Sequence, residues 1–312
     1  MTKRRPKSAS TPSLLDPAGR AELLRDFTRL LGQQEFANED ELRAFLEREV
    51  MGKPLPRVEA ATPQEQAEDL VRLARTLPSD ARARAKVNEA LALDPDCLSA
   101  HLFLSELAET PTDAQQHLQA AVASGDRTLD AMWFEPDADP WYDPTGREYL
   151  MAMGMLAELR WRMGDRRQAI ADGHELLKLS PNDGAGFRYQ FIEWLMRAGS
   201  LAEIDALLAA YQEKSAVWCY AAALHAFRQR GPDAAATRAL RVAVAVNPHV
   251  VAMLIGREPL PMEVPDSYST GSVEEATLYV QGAASSWFDA EGAIEWARDV
   301  GGTAPKRKPK RR

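Results

Sequence analysis

Three segments that end alike constrain this chain more than any other feature of its sequence. Residues 90–95 read ALALDP, residues 176–181 read LLKLSP and residues 243–248 read AVAVNP. Apolar residues at helical spacing that stop at a proline mark the end of an amphipathic helix, because proline cannot donate the backbone hydrogen bond that would continue it. The recurrence predicts a chain built from repeated helices.

Residues 148–183 contain the clearest repeat unit, which we interpret as two antiparallel helices. Gly164 can adopt the left-handed conformation that ends a helix, and Asp165 can cap the next helix by accepting a backbone N–H bond. Small side chains at Ala169 and Gly173 are expected to let the two helices approach closely.

The composition agrees with a helical protein. The chain is rich in Ala, Leu, Arg and Glu, and its Val and Ile residues rarely alternate with polar residues as they would in half-buried strands. With 45% hydrophobic and 27% charged residues it is ordinary for a soluble protein. We therefore expect an all-α fold.

At these positions the sequence resembles the tetratricopeptide-repeat family. Pro181 and Pro248 are 67 residues apart, close to twice the family's period of about 34 residues. The large, small and proline positions of the family correspond to Leu156, Ala157, Ala169 and Pro181 in one unit and to Leu224, Phe227, Gly231, Ala236, Ala243 and Pro248 in another. The resemblance implies about five stacked helical pairs that form a superhelix with a concave face.

A second resemblance covers roughly residues 90–298. The segments NPHV at 247–250, GSVEEA at 271–276 and GAIEW at 292–296 are similar to the ending of the suppressor-of-tumorigenicity-seven type of tetratricopeptide protein and its bacterial relatives. This resemblance implies an architecture with a C-terminal helical cap, and it supplies no biochemical activity.

Together these patterns predict five regions along the chain. They are a basic disordered tail at 1–13, an N-terminal helical cap at 14–61, the repeat array at 62–249 with an insertion at 126–144, a C-terminal helical cap at 250–300, and a second basic disordered tail at 301–312.

Charge separates the two tails from the rest of the chain. Removing their ten lysines and arginines from the total of 38 leaves 28 bases against 46 acids, a formal charge of −18 for the body. The tails can be solvated ends, can contact nucleic acid through its phosphates, or can lie on the acidic body at low salt.

The insertion at 126–144 contains three prolines, which exclude a long helix. It carries the aromatic residues Trp133, Phe134, Trp141 and Tyr142 among several acids. One interpretation is that the aromatics pack onto the array while the acids stay in water. The other is an exposed recognition loop or a lid.

Binding in the concave groove is the leading functional hypothesis, because first-helix side chains line that surface. The candidate residues are Arg160, Asn182, Arg188, Tyr189, Tyr220, His225 and Arg228. Arg188 stands out because an arginine at the start of an inner helix can pair bidentately with a ligand carboxylate. The alternative for each residue is a local salt bridge or a core contact.

No catalytic motif, metal motif or cofactor motif is present, and the five histidines lie in different predicted helices or turns. We therefore predict no enzyme, no cofactor and no metal, but a scaffold that binds an unidentified protein or peptide. The alternatives are a nucleic-acid-associated protein that uses its basic tails and a non-catalytic subunit of an enzyme complex. The lack of a signal-like leader, of a membrane-length apolar run and of paired cysteines favours a cytoplasmic protein with no membrane partner.

Overall fold

The structure is a computed structural model that describes residues 17–129, 131–135 and 138–301. Over these residues the chain forms fifteen α-helices and two short 3-10 helices, with no strand. The predicted all-α class of helical hairpins is confirmed. None of the described helices is both long enough and apolar enough to cross a membrane. The two predicted basic tails lie outside the described residues, apart from Gly301 at the end of the last helix.

The α-helices follow one another along the chain and are joined mostly by short turns. In order they are α1 Pro17–Gly32, α2 Glu39–Glu49, α3 Pro63–Ala74, α4 Asp80–Leu93, α5 Leu98–Glu106, α6 Pro111–Thr128, α7 Pro144–Met163, α8 Arg166–Leu179, α9 Arg188–Ala198, α10 Leu201–Ala210, α11 Ala216–Arg230, α12 Ala234–Val246, α13 His249–Leu254, α14 Val273–Phe288 and α15 Ala293–Gly301. The 3-10 helices are Ala131–Phe134 and Pro140–Tyr142.

Contacts divide the chain after Leu107 into two compact units. The first contains α1 to α5 and the second contains α6 to α15. The predicted boundaries at residues 61 and 249 follow sequence pattern and stay predictions.

The first unit is centred on the hairpin of α3 and α4. Small buried side chains, among them Ala67, Ala83 and Ala90, allow close packing of this hairpin. Helix α1 is held to α3 by Arg29, whose guanidinium donates to both carboxylate oxygens of Asp69 at 2.9 and 3.1 Å. This paired geometry offsets the cost of burying the arginine.

The second unit contains the repeat unit around Gly164. Gly164 ends α7 with φ of 92°, and the Asp165 carboxylate accepts a bond from the Gln168 N–H at 3.3 Å. The sequence predicted both helix ends. Gly173 serves a different contact from the one predicted, because a Cβ atom there would lie 2.5 Å from the ring of Phe191 in the next hairpin. The missing side chain makes room for α9, not for α7.

The inserted segment is fixed against the turn between α8 and α9. Asp139 is buried and accepts bonds from Ser180 Oγ at 2.8 Å and Asn182 Nδ2 at 3.2 Å. A Cβ atom at Gly184 would lie 2.3 Å from Trp141 Nε1, so the indole packs where only a glycine leaves space.

This arrangement differs in two respects from the first interpretation, in which the aromatics pack and the acids stay in water. The acid Asp139 is only 6% exposed, and the aromatic Tyr142 is 71% exposed. Trp133 is half-buried, and the side chain of Phe134 lies outside the part that the structure describes.

The C-terminal helices cover two surfaces of the second unit. Helix α14 packs against α9 and α11, and α15 packs against α12 and α13. The buried Trp287 donates to the Tyr279 hydroxyl at 2.8 Å, and the Trp296 ring stacks on Phe227 with centroids 4.7 Å apart. Both tryptophans cover apolar surface, because each buries a large area with few torsions to fix.

Candidate functional site

A groove with a cavity volume of about 640 Å³ lies in the second unit, between α7, α9 and α14. Its aromatic lining residues are Trp161, Tyr189, Trp194, Tyr268 and Tyr279. Its charged lining residues are Glu158, Arg162, Glu193, Arg197 and Glu275. A largely apolar concavity with a few polar groups is the usual form of a binding site.

The position of α14 determines where this groove lies. The guanidinium of Arg197 on α9 donates to Ser285 Oγ at 3.0 Å, and that of Arg228 on α11 donates to the Ser286 carbonyl oxygen at 2.6 Å. These bonds tie α14 across the first helices of two hairpins. The surface that the sequence assigned to a ligand is therefore partly covered by the chain's own helix, and the open part lies beside α7.

One wall of the groove is a pair of stacked tryptophans. The rings of Trp161 on α7 and Trp194 on α9 are 5.0 Å apart and nearly parallel, at 7°. The edge of Phe187 contacts Trp194 with centroids 5.5 Å apart, and the Arg166 guanidinium lies 5.3 Å from the Trp161 ring. Because neighbours hold both rings, the wall is a rigid aromatic surface.

Glu193 is the polar residue of the groove for which the described part of the fold supplies no hydrogen-bond partner at one oxygen atom. Its Oε2 atom is buried, and it has no hydrogen-bond partner among the residues that the structure describes. Burial raises the pKa of the Glu193 carboxyl to about 7, against the opposing effect of the Arg197 and Arg228 guanidinium groups. Buried polar groups in native proteins normally have partners, so this oxygen atom requires an explanation.

Glu193 is not among the residues that the sequence pattern indicated. The available signal was an acid inside the apolar run FIEWLM at 191–196. A lone acid in such a run can equally face solvent on the polar side of the helix. Only the position of α14 places this carboxylate in a groove.

The predicted residues Arg188 and Tyr189 belong to an internal network. Arg188 pairs with Asp183 at 2.8 Å and with Glu213 at 3.1 Å, and the Tyr189 hydroxyl donates to Glu213 at 2.7 Å. The carboxylates that Arg188 binds thus belong to its own chain. Tyr189 also lines the groove.

Tyr220 and His225 lie in the core of the second unit, which corrects their placement on a groove surface. The Tyr220 hydroxyl donates to the Asn247 carbonyl oxygen at 2.7 Å, and His225 Nε2 lies 2.7 Å from Asp205 Oδ1. Both side chains follow the apolar face of α11, which packs inward.

The other predicted groove residues bind partners within the fold. Arg160 pairs with Asp172 at 2.5 Å, Asn182 donates to Asp139, and Arg228 donates to the Met196 and Ser286 carbonyl oxygens. Of the seven groove candidates, Tyr189 alone is among the described residues that line the groove. The loop residues Trp133, Trp141 and Tyr142 are not among them either.

His249 forms a half-exposed pair with Glu258, with Nδ1 and Oε2 2.7 Å apart. Among the residues that the structure describes, no group of three or more His, Cys, Asp or Glu side chains is arranged to hold a metal ion.

These features define an all-α protein of paired helices in which α14 covers part of the face that the first helices of the hairpins form. No protein-family model matches the sequence, and no curated protein is similar to it. Among solved structures, the chain is similar to YrrB, described as a tetratricopeptide-repeat protein with an unusual peptide-binding site. That likeness has a TM-score of 0.43 and 20% identity, and it covers 57% of this chain and 85% of YrrB. It is a likeness of helical arrangement, and the suppressor-of-tumorigenicity-seven resemblance stays a prediction.

Proposed function

We propose that the protein is an interaction module that binds a peptide or helical segment of a partner protein in the groove between α7, α9 and α14. The observation that carries this proposal is the groove itself, a cavity of about 640 Å³ with the stacked Trp161 and Trp194 on one side. Aromatic residues in a concave, partly apolar surface are typical of the centres of protein interfaces.

The packing of α14 supports the same proposal. This helix lies on α9 and α11 through apolar contacts, with polar bonds from Arg197 and Arg228 at its edge. A face that holds one helix in this way has the shape and polarity to hold a second segment beside it. Grooves between helices take amphipathic helices by the same combination of contacts.

The anchoring residues differ from those that the sequence suggested. Arg188 is engaged by Asp183 and Glu213, so the proposal assigns ligand contact to Trp161, Glu193 and Tyr189 instead. A cytoplasmic location remains a prediction. The nucleic-acid alternative depends on the tails, which lie outside the described residues.

A groove-filling substitution tests the proposal. Gly282 on α14 lines the groove, and a Cβ atom there meets no atom within 4 Å, so Gly282→Phe adds a ring to the cavity without a clash at its first carbon. Partner proteins captured by the wild-type chain from its host should be lost with this variant. The helical circular-dichroism signal should stay the same.

Gly32→Phe is the matched control, because Gly32 ends α1 in the other unit and also has no atom within 4 Å of an added Cβ. It should retain every partner. If Gly282→Phe retains the same partners as the wild type and the control, the groove is not the interaction site.

A further inference from the structure

One carboxylate oxygen in the groove lacks a hydrogen-bond donor among the described residues. The Glu193 Oε2 atom is buried without a partner in the described structure. Leaving a buried acceptor unbonded costs about 1–3 kcal/mol, and more when it is charged. A ligand that supplies a donor at this point removes that cost.

Two other charged residues that line the groove, Glu275 and Arg197, have hydrogen-bond partners within the chain. The Glu275 carboxylate accepts bonds from the N–H groups of Ala216 and Gly271 and from the Asn247 amide, at 2.6–3.0 Å. Arg197 is exposed and donates to Ser285. Of these three residues, Glu193 is the one with a buried oxygen atom that has no hydrogen-bond partner in the described structure.

The charge of the surroundings favours a cationic ligand over an anionic one. Glu158 lies on the same wall as Trp161, one helical turn before the exposed Arg162. An anion drawn to Arg162 would approach the carboxylates of both Glu158 and Glu193. The chain without its tails also carries a formal charge of −18, from 28 bases and 46 acids, which raises the local concentration of basic segments.

We propose that this groove binds a segment of another protein through a lysine or arginine side chain, which reaches Glu193 along the stacked rings of Trp161 and Trp194. The proposal deepens the function proposed above and rests on it. An ammonium or guanidinium group satisfies the carboxylate with a charge-assisted hydrogen bond. The alkyl stem and the charge of the same side chain suit an aromatic wall.

Short peptides test this proposal without knowledge of the natural partner. Four mixtures are prepared, each randomised at every position except the centre, which is lysine, arginine, norleucine or glutamate. Each is passed over the immobilised full chain, and the retained peptides are quantified by mass spectrometry. We expect the lysine and arginine mixtures to be retained at least about tenfold more than the norleucine mixture.

Two variants make the assignment specific. Glu193→Gln keeps the size of the side chain and removes its charge, so it should abolish the preference for a basic centre. Trp161→Ala removes one ring of the wall and should weaken retention of the basic mixtures. Glu295→Gln is the matched control, because Glu295 is an exposed acid on α15 and should leave the preference unchanged.

The outcomes separate this proposal from the function on which it rests. Equal retention of all four mixtures that is lost with Gly282→Phe would overturn the basic anchor and leave the groove as a peptide site. Retention of no mixture would overturn both. If the basic mixtures bind only a chain shortened to end at Gly301, the chain's own basic tail is the occupant and a partner segment is not.

Discussion

Glu193, whose Oε2 atom is buried, should make the second unit less stable as the pH rises, and Glu193→Gln should remove this effect. Below pH 4.5, the carboxyl's ordinary pKa, it is protonated in both the folded and the unfolded chain. Between pH 4.5 and about 7 the folded chain keeps its proton while the unfolded chain releases it. Stability therefore falls over this interval, and the full penalty is present above it.

The size of the effect follows from the two pKa values. One pKa unit corresponds to about 1.4 kcal/mol. Raising the pKa from 4.5 to about 7 therefore costs the folded state roughly 3 kcal/mol at about pH 8. Arg197 on α9 and Arg228 on α11 oppose the rise in this pKa, and Glu158, Arg162 and Glu275 line the same groove. All five residues are present in both the wild type and the variant.

Tryptophan fluorescence is the suitable assay, because all seven tryptophans of the chain follow residue 107 and report on the second unit. Urea unfolding of the wild type and Glu193→Gln is compared between about pH 4.5 and pH 8. The variant should gain roughly 3 kcal/mol relative to the wild type across this range. Glu295→Gln should not gain. If the free energy of unfolding depends on pH in the same way for the wild type and Glu193→Gln, the carboxyl titrates normally. Its raised pKa is then no reason to place Glu193 at a functional site.

Two further predictions concern the packing that positions the groove. Gly184→Ala should destabilise the second unit by about 1–3 kcal/mol in urea unfolding, because its methyl group meets the Trp141 ring. Gly282→Ala is the control and should not destabilise it, because its methyl group points into open space. Equal stability of the two variants would contradict the close approach of Trp141 to Gly184. Trp287→Ala should cost about 3–5 kcal/mol, because it empties a fully buried site and leaves the Tyr279 hydroxyl without its donor. A loss below about 1 kcal/mol in calorimetry would mean that α14 is not held by this contact.

Local residue patterns are enough to place the helices and many of their ends. A capping side chain such as Thr62 bonds to an N–H group three residues away, and Gly164 ends α7 through its own backbone conformation. These interactions are local, so their residue pattern can be recognised without knowledge of the fold.

The tertiary structure decided how the inserted segment lies and which residues Arg188 binds. Asp139 is buried because Ser180 and Asn182, about forty residues later, supply its donors. Arg188 binds the neighbouring Asp183, and it also binds Glu213, 25 residues later, because the segment before α11 meets the start of α9. Distant pairs of this kind leave no periodic trace in the sequence.

The candidate site depends on the tertiary structure most of all. The sequence indicated a face formed by the first helices of the hairpins, and it predicted a terminal cap. It did not indicate that α14 would lie on that same face, across α9 and α11. This placement puts Glu193, with its Oε2 atom buried, in a groove that the stacked Trp161 and Trp194 also line.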